Sequence, residues 1–185
     1  MAGRLSRRFF QRPTDVVARA LIGKTLVFGE RAGRIVETEA YFGEDDKASH
    51  ARFGPTKRAA CMFGDVGVSY VYLCYGVHDM FNIVAHTRTG VGAVLIRSLA
   101  PIRGIGDDSR IAAGPGKLAK ALGLTRKHNH IDMLSDNKLF VTRGRSVAAE
   151  SIQVGARVGV DYAGDWTDKP LRFWLADCPS VSRLN

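Results

Sequence analysis

"GVSYVYLCYGVHDMFNIVAHT", residues 67–87, carries two apolar, aromatic-rich runs on either side of Tyr75-Gly76. Each run has the length of a strand, and the glycine between them gives the chain room to reverse. The stretch predicts an antiparallel hairpin with an exposed tyrosine at its tip. Upstream, "KTLVFGERAGRIVETEAYF" (24–42) reads as two strands joined by a turn containing Gly33. Downstream, "GAVLIRSL" (92–99) reads as a buried strand, with further strands in "LFVTRG", "ARVGVDY" and "LRFWLA".

Two helices punctuate the strands. Pro13-Thr14-Asp15 opens the first, with apolar Val16, Val17, Ala20 and Leu21 and a stop at Gly23. In "GPGKLAKALGL" (114–124), Pro115 opens the second; Leu118, Ala121 and Leu122 form its apolar side and Gly123 ends it. The polar segment 43–57, "GEDDKASHARFGPTK", predicts a long loop, and Arg4, Arg7, Arg8 and Arg12 make residues 1–12 a basic, mobile leader. Without repeats, low-complexity tracts or linkers, residues 1–185 are expected to form one mixed, strand-dominated domain.

The 185 residues include 27 basic and 18 acidic side chains, a net charge of +9. Such an excess favours polyanionic partners, nucleic acid or an anionic membrane surface, but is also compatible with general solubility. No run approaches the ~20 apolar residues of a membrane span, and the N-terminus lacks a signal-peptide core. Three separated cysteines argue against a disulfide framework. The expected location is the cytoplasm of a prokaryotic cell, with no membrane partner. His50, His78, His86, His128 and His130 do not take HExxH spacing, and "GPGK" lacks the spacing of a P-loop, so neither a metal nor a cofactor is expected. Lys117, at a helix start, is placed to approach a phosphate.

In "GRIVETEAYFG" (33–43), Glu37, Glu39 and Tyr41 alternate and share one face of a strand, with Val36, Thr38 and Ala40 opposite. Two carboxylates beside an aromatic suit acid–base chemistry, but equally mark the wet face of a half-buried strand. Tyr41, Tyr70, Tyr72 and Tyr75 serve as well for cross-strand packing as for stacking unpaired bases. Pattern alone leaves both pairs of readings open.

Taken together, "GRIVETEAYFGEDDKASHA", "MFGDVGVSYVYLCYGVHDMFNI", "AVLIRSLAP", "GPGKLAKAL" and "ARVGVDYAGDWTDKPLRFWL" resemble the alkyladenine (3-methyladenine) DNA glycosylase family, in one order from about residue 4 onward. The resemblance implies an α+β fold: a single compact domain around a curved antiparallel sheet with a protruding hairpin. It also implies a monofunctional hydrolase of base-excision repair, acting as a monomer without a cofactor. Its substrate would be double-stranded DNA containing alkylated or deaminated purines.

By position in those motifs, Glu39 matches the general base that activates a water, and Tyr41 a tyrosine stacking on the extruded base. His50 matches a histidine on the base's other side, whose backbone amide hydrogen-bonds to it. Tyr72 matches a further pocket aromatic, and Asn82 the asparagine that disfavours guanine's exocyclic amine. Tyr75 matches the side chain filling the gap left in the duplex, and Arg97 an arginine near the water and the DNA backbone. Lys117 and Arg157, with Arg4, Arg7 and Arg8, would attract phosphates. Glu37 is left as a structural or solvated carboxylate. The segment 101–114 is short for the family, and His78 stands where some relatives carry another aromatic.

Two rival readings remain. One is a glycosylase that also nicks the strand through a lysine Schiff base. The other is a non-catalytic module for distorted DNA, which would need no base beside a water site.

Overall fold

The longest strands set the frame. In the computed structural model, which describes residues 3–144 and 146–182, β1 (Thr25–Phe28) and β2 (Arg31–Phe42) form a hairpin. The turn falls at Gly29-Glu30, not at Gly33 as expected, because Gly29 takes the left-handed conformation (φ 58°). Gly33 lies inside β2, where a Cβ would stand 2.8 Å from the Leu99 Cβ.

Strand β2 organises the sheet. One edge pairs along its length with β5 (Gly92–Arg103). The other pairs first with β1 and then, over Glu37–Glu39, with β8 (Arg172–Leu175). The predicted hairpin is β3 (Ser69–Cys74) and β4 (His78–Val84), which joins the sheet through β5. The β6 strand (Leu139–Thr142) closes the far edge on β1, and β7 (Ile152–Gly155), not anticipated from sequence, pairs with β8. These antiparallel strands curl into a half-barrel with few helices, a single α+β domain.

The helices seal its outer face. Helix α1 (Arg7–Phe10) and helix α2 (Thr14–Leu21) send Phe10, Val17, Ala18 and Leu21 into the core, while Val16 stays exposed. Helix α3 (Pro115–Leu122) buries Leu118, Ala119 and Leu122 and ends on left-handed Gly123. The leader is docked from Gly3 on: Leu5 is buried, Arg4 bridges to Thr142, and Arg7 pairs with Asp65 at 3.2 Å. Residues 1 and 2 of that predicted leader lie outside the described part.

"ARVGVDY" is not a strand. Its Val158 N–H bonds the Glu39 carboxylate, Gly159 turns the chain at φ 72°, and Val160 packs with Ala48 and Ala163 before a 3-10 turn, Asp161–Trp166. The apolar alternation is real, but it serves a loop that crosses the polar face of β2.

Two compensating bulges decide what that face carries. Ile35 pairs with Leu99 and Glu37 with Ser98, leaving Val36 as an extra residue; Thr38 then pairs with Ile96, leaving Arg97 extra. The irregularity lets consecutive Arg97 and Ser98 both reach the Glu37 side chain. On the opposite face, Thr38 donates to the Ala18 carbonyl of α2 and Ala40 joins the core.

Candidate active site

Both glutamates of β2 are fully buried, so neither marks a wet face. Their surroundings differ. The Glu37 Oε1 accepts from Arg97 Nε at 3.0 Å, Arg172 Nε at 2.7 Å and Ser182 Oγ at 2.8 Å. Its Oε2 accepts from Ser98 Oγ at 2.7 Å and the Ser182 N–H at 2.8 Å. A carboxylate offers about four lone-pair sites, so these contacts saturate it. Burial pushes the Glu37 carboxyl pKa up, but Arg97, the Ser182 N–H, Ser98 and Arg172 outweigh it and leave the value below normal.

Glu39 is held more sparingly. Its Oε1 accepts from the Val158 N–H at 2.8 Å and lies 3.3 Å from Arg97 Nη1, and its Oε2 accepts from the Tyr41 hydroxyl at 2.8 Å. About one acceptor position remains on this carboxylate. The groups that bind it, Tyr41, Arg97 and Val158, also line a cleft of about 320 Å³. Glu39 thus sits directly beneath the cleft floor. Burial lowers the Arg97 pKa, but Glu39 and Glu37 raise it further, so its guanidinium remains charged between the two acids.

Tyr41 is fixed from two sides. Its hydroxyl is tied to Glu39, and the Arg157 guanidinium lies 4.6 Å from its ring centroid. Burial, then Glu39 and Tyr72, drive its hydroxyl pKa well up, so it remains a donor. Arg157, expected at the DNA backbone, is instead buried. It pairs with Asp46 at 2.6 and 2.9 Å and donates to the Ala40 carbonyl at 3.0 Å. A guanidinium with no exposed side-chain surface is in no position to meet a phosphate; it braces Tyr41.

The facing wall comes from the hairpin and the 3-10 turn His50–Phe53. His50 Nδ1 lies 2.9 Å from the Tyr70 hydroxyl, and its ring meets Tyr72 edge-on with centroids 4.5 Å apart. Burial, aided by Arg58 and Arg52, lowers the His50 pKa to about 4. Burial likewise raises Tyr70 to about 12 and raises Tyr72. The wall is therefore neutral at physiological pH. Asn82 closes one corner, its amide N–H groups donating to the Tyr70 and Met80 carbonyls at 3.1 and 3.4 Å.

Tyr75 stands at the hairpin tip, 89% exposed, with φ 48°. Lys117 is exposed in the first turn of α3, bordering a groove with His78 of the hairpin. The structure therefore gathers Tyr41, His50, Tyr72, Asn82 and Arg97 around one cleft, with Tyr75 at its lip and Glu39 buried behind Tyr41 and Arg97. It keeps Lys117 outside the cleft and Arg157 behind it. Sequence reasoning missed the cage around Glu37, built by Arg172 and Ser182, and the Asp46 partner of Arg157. An arginine within the apolar run "LRFWL" was the available signal for the first. Among the described residues, no cluster of three or more His, Cys, Asp or Glu could hold a metal ion. No helix among them is long and apolar enough to cross a membrane.

The family model "Methylpurine-DNA glycosylase" matches residues 8–179. A protein of Myxococcus xanthus named "Putative 3-methyladenine DNA glycosylase" is 46% identical over 183 residues, covering 97% of this chain and 93% of its own. Proteins with the same name from an Anaeromyxobacter species and from Legionella pneumophila are 47% and 43% identical over 184 and 185 residues. Each covers 97% of this chain, and 93% and 98% of its own length respectively. The chain belongs to the methylpurine-DNA glycosylase family.

Proposed function

We propose that this protein extrudes alkylated or deaminated purines from duplex DNA and hydrolyses the N-glycosidic bond with a water activated by Glu39. Membership makes the chain a DNA glycosylase, a hydrolase of DNA repair. The finer reading rests above all on the contrast between a saturated Glu37 and a Glu39 that keeps an acceptor position just beneath the cleft floor.

A purine inside a duplex cannot be attacked at its sugar, so the nucleotide must leave the stack at a cost of a few kcal/mol. Tyr75, on a tip that projects clear of the core, enters the vacated space. The extruded base rests on Tyr41 and meets His50 and Tyr72 opposite, each stacked ring contributing about 1–3 kcal/mol. Asn82 is held in place by donating to two carbonyls, so it gauges the purine edge by the space it leaves, which guanine's exocyclic amine would overfill.

As the C1′–N bond breaks, its electrons go to the base and the sugar becomes cationic. Water adds through oxygen to C1′ and gives its proton to Glu39, whose negative charge also stabilises the sugar. Arg97 favours the ionised carboxylate and orients it. A cationic alkylpurine departs neutral, with no acid required, and an abasic site remains. The enzyme acts as a monomer, with Lys117 and other exposed basic residues meeting phosphates.

The test is release of base from labelled duplexes containing 3-methyladenine, hypoxanthine or ethenoadenine. Wild type should release base and Glu39→Gln should bind without release; equal release by the variant would remove Glu39 from the role. The strand-nicking alternative draws no support from the cleft, which no lysine lines among the described residues. Borohydride trapping of a protein–DNA adduct would establish it nonetheless.

A further inference from the structure

At the edge of the cleft, two aromatic rings from distant segments converge on one guanidinium. Phe53 and Tyr162 are 72% and 65% exposed, and Arg52 Cζ lies 4.4 Å from the first ring's centroid and 5.9 Å from the second's. A single exposed aromatic needs no explanation. Two that meet across a cation, against the wall of the site, are a different matter. Arg52 is anchored by donating to the Lys47 carbonyl, so it covers one face of Phe53 and leaves the other to solvent.

Between these rings and the wall lies a recess of about 260 Å³. It shares Ala48, His50, Arg58 and Tyr162 with the main cleft, so the two adjoin across these side chains and the recess lies as an outer step beside the mouth. Arg58, donating to the Leu73 carbonyl and lying over the Tyr72 ring, supplies a second cation on the boundary. Burial, and after it Arg58 and Arg52, lower the His50 pKa, as expected with both cations beside this wall.

Resting on the base-extrusion reading above, we propose that this recess is an outer stacking site for one unmodified nucleobase of the lesion strand, next to the extruded nucleotide. Phe53 and Tyr162 offer the ring faces, and Arg52 and Arg58 meet the phosphate that such a nucleotide carries. The two guanidiniums favour a nucleotide of the strand over a released base, which has no phosphate. The step holds the strand open beside the cleft, complementing Tyr75 on the duplex side.

A thermodynamic cycle between protein and DNA tests this. In an ethenoadenine duplex, the neighbouring nucleotide on each side in turn is replaced by a tetrahydrofuran abasic residue, which keeps the phosphate and removes the base. For wild type, removing the correct base should weaken binding by about 5- to 150-fold, the range of one base–aromatic stack. For Phe53→Ala and Tyr162→Ala, the same removal should cost much less, and Phe53→Trp should restore the full loss. Equal losses in wild type and both alanine variants, or no loss from either neighbour, would overturn the proposal. Relief by Phe53→Ala of competition from free hypoxanthine would assign the recess to the leaving base and overturn it too. Base release by wild type from the intact duplex is measured alongside. If that fails, the extrusion reading falls; if it succeeds while the cycle is additive, only the outer site falls.

Discussion

The floor of the cleft and its rim are built on opposite principles. On the floor, Glu37, Glu39, Arg97 and Arg172 balance two negative charges with two positive ones, and Asp46 neutralises Arg157. All six side chains are buried, and the bonds between them fix where Tyr41 and Glu39 stand. At the rim, Tyr75, Phe53 and Tyr162 face solvent, and Tyr75 adopts a backbone conformation that costs an L-residue about 1–2 kcal/mol. The floor ties geometry to stability, whereas the rim accepts strain and exposure, as the proposed contacts with DNA require. Substitutions on the floor should therefore cost stability, whatever they do to catalysis. Those at the rim should move binding alone.

Glu39→Gln is the largest expected effect on rate, and it should cost stability as well, because it removes one of the two charges that balance Arg97 and Arg172. The amide keeps the shape of the carboxylate but loses the base, which should reduce base release by about 10²- to 10⁴-fold in single-turnover assays. Glu37→Gln should act mainly on stability. Removing one of two balancing charges leaves Arg97 or Arg172 uncompensated in the interior, at a cost of about 3–5 kcal/mol read from urea unfolding. The protein that remains folded should retain more activity than Glu39→Gln does. A Glu37→Gln protein with wild-type stability and no base release would falsify the division of labour between the two acids.

That division also marks how far the sequence could be read. The hairpin, the long strands and the two longer helices were legible, though α1 was not, because their signals are local: apolar runs, a Tyr-Gly reversal, a proline at one end and a glycine at the other. Glu37 and Glu39 were correctly placed on one face, since alternation needs no partner strand. What makes them different comes from Arg97, Arg172 and Ser182, between 60 and 145 residues away. The paired bulges at Val36 and Arg97 let Arg97 and Ser98 both reach Glu37, and a register offset leaves no mark on either strand's own pattern. Arg157 misled for the same reason. In a basic chain it resembled one more surface cation, and only Asp46, 111 residues away, explains its burial.

At the rim, Tyr75→Gly separates binding from folding. Glycine takes φ 48° without strain, so the variant should be as stable as wild type or more stable by about 1 kcal/mol, reduced by glycine's own greater chain entropy. Lesion-duplex affinity should nevertheless fall about tenfold, within the range for losing one aromatic stack. Unchanged affinity and turnover would show that the tip does not enter the duplex. Lost stability would show instead that the tip belongs with the floor.

The smallest effect concerns pH, where His50 and Glu37 act in adjacent windows. The His50 pKa falls from 6.5 to about 4 on folding, so between those values the unfolded chain binds more protons than the folded one. Its contribution to stability is thus complete above pH 6.5 and is lost as pH falls towards 4. The Glu37 carboxyl, held below its ordinary value of 4.5, adds a second loss below that pH. Melting temperatures should therefore decline on acidification in two stages. His50→Gln should flatten the stage between pH 6.5 and 4 while leaving the lower one, whatever the variant's absolute stability. The partial exposure of His50 keeps the upper stage small. Because this histidine is already neutral at pH 6, base release should show no ionisation near 6.5 that His50→Gln removes. Such an ionisation would mean that His50 is charged in the working site and donates a proton to neutral leaving bases. The neutral wall instead favours lesions that leave without one, so release of cationic 3-methyladenine should exceed that of hypoxanthine across this range.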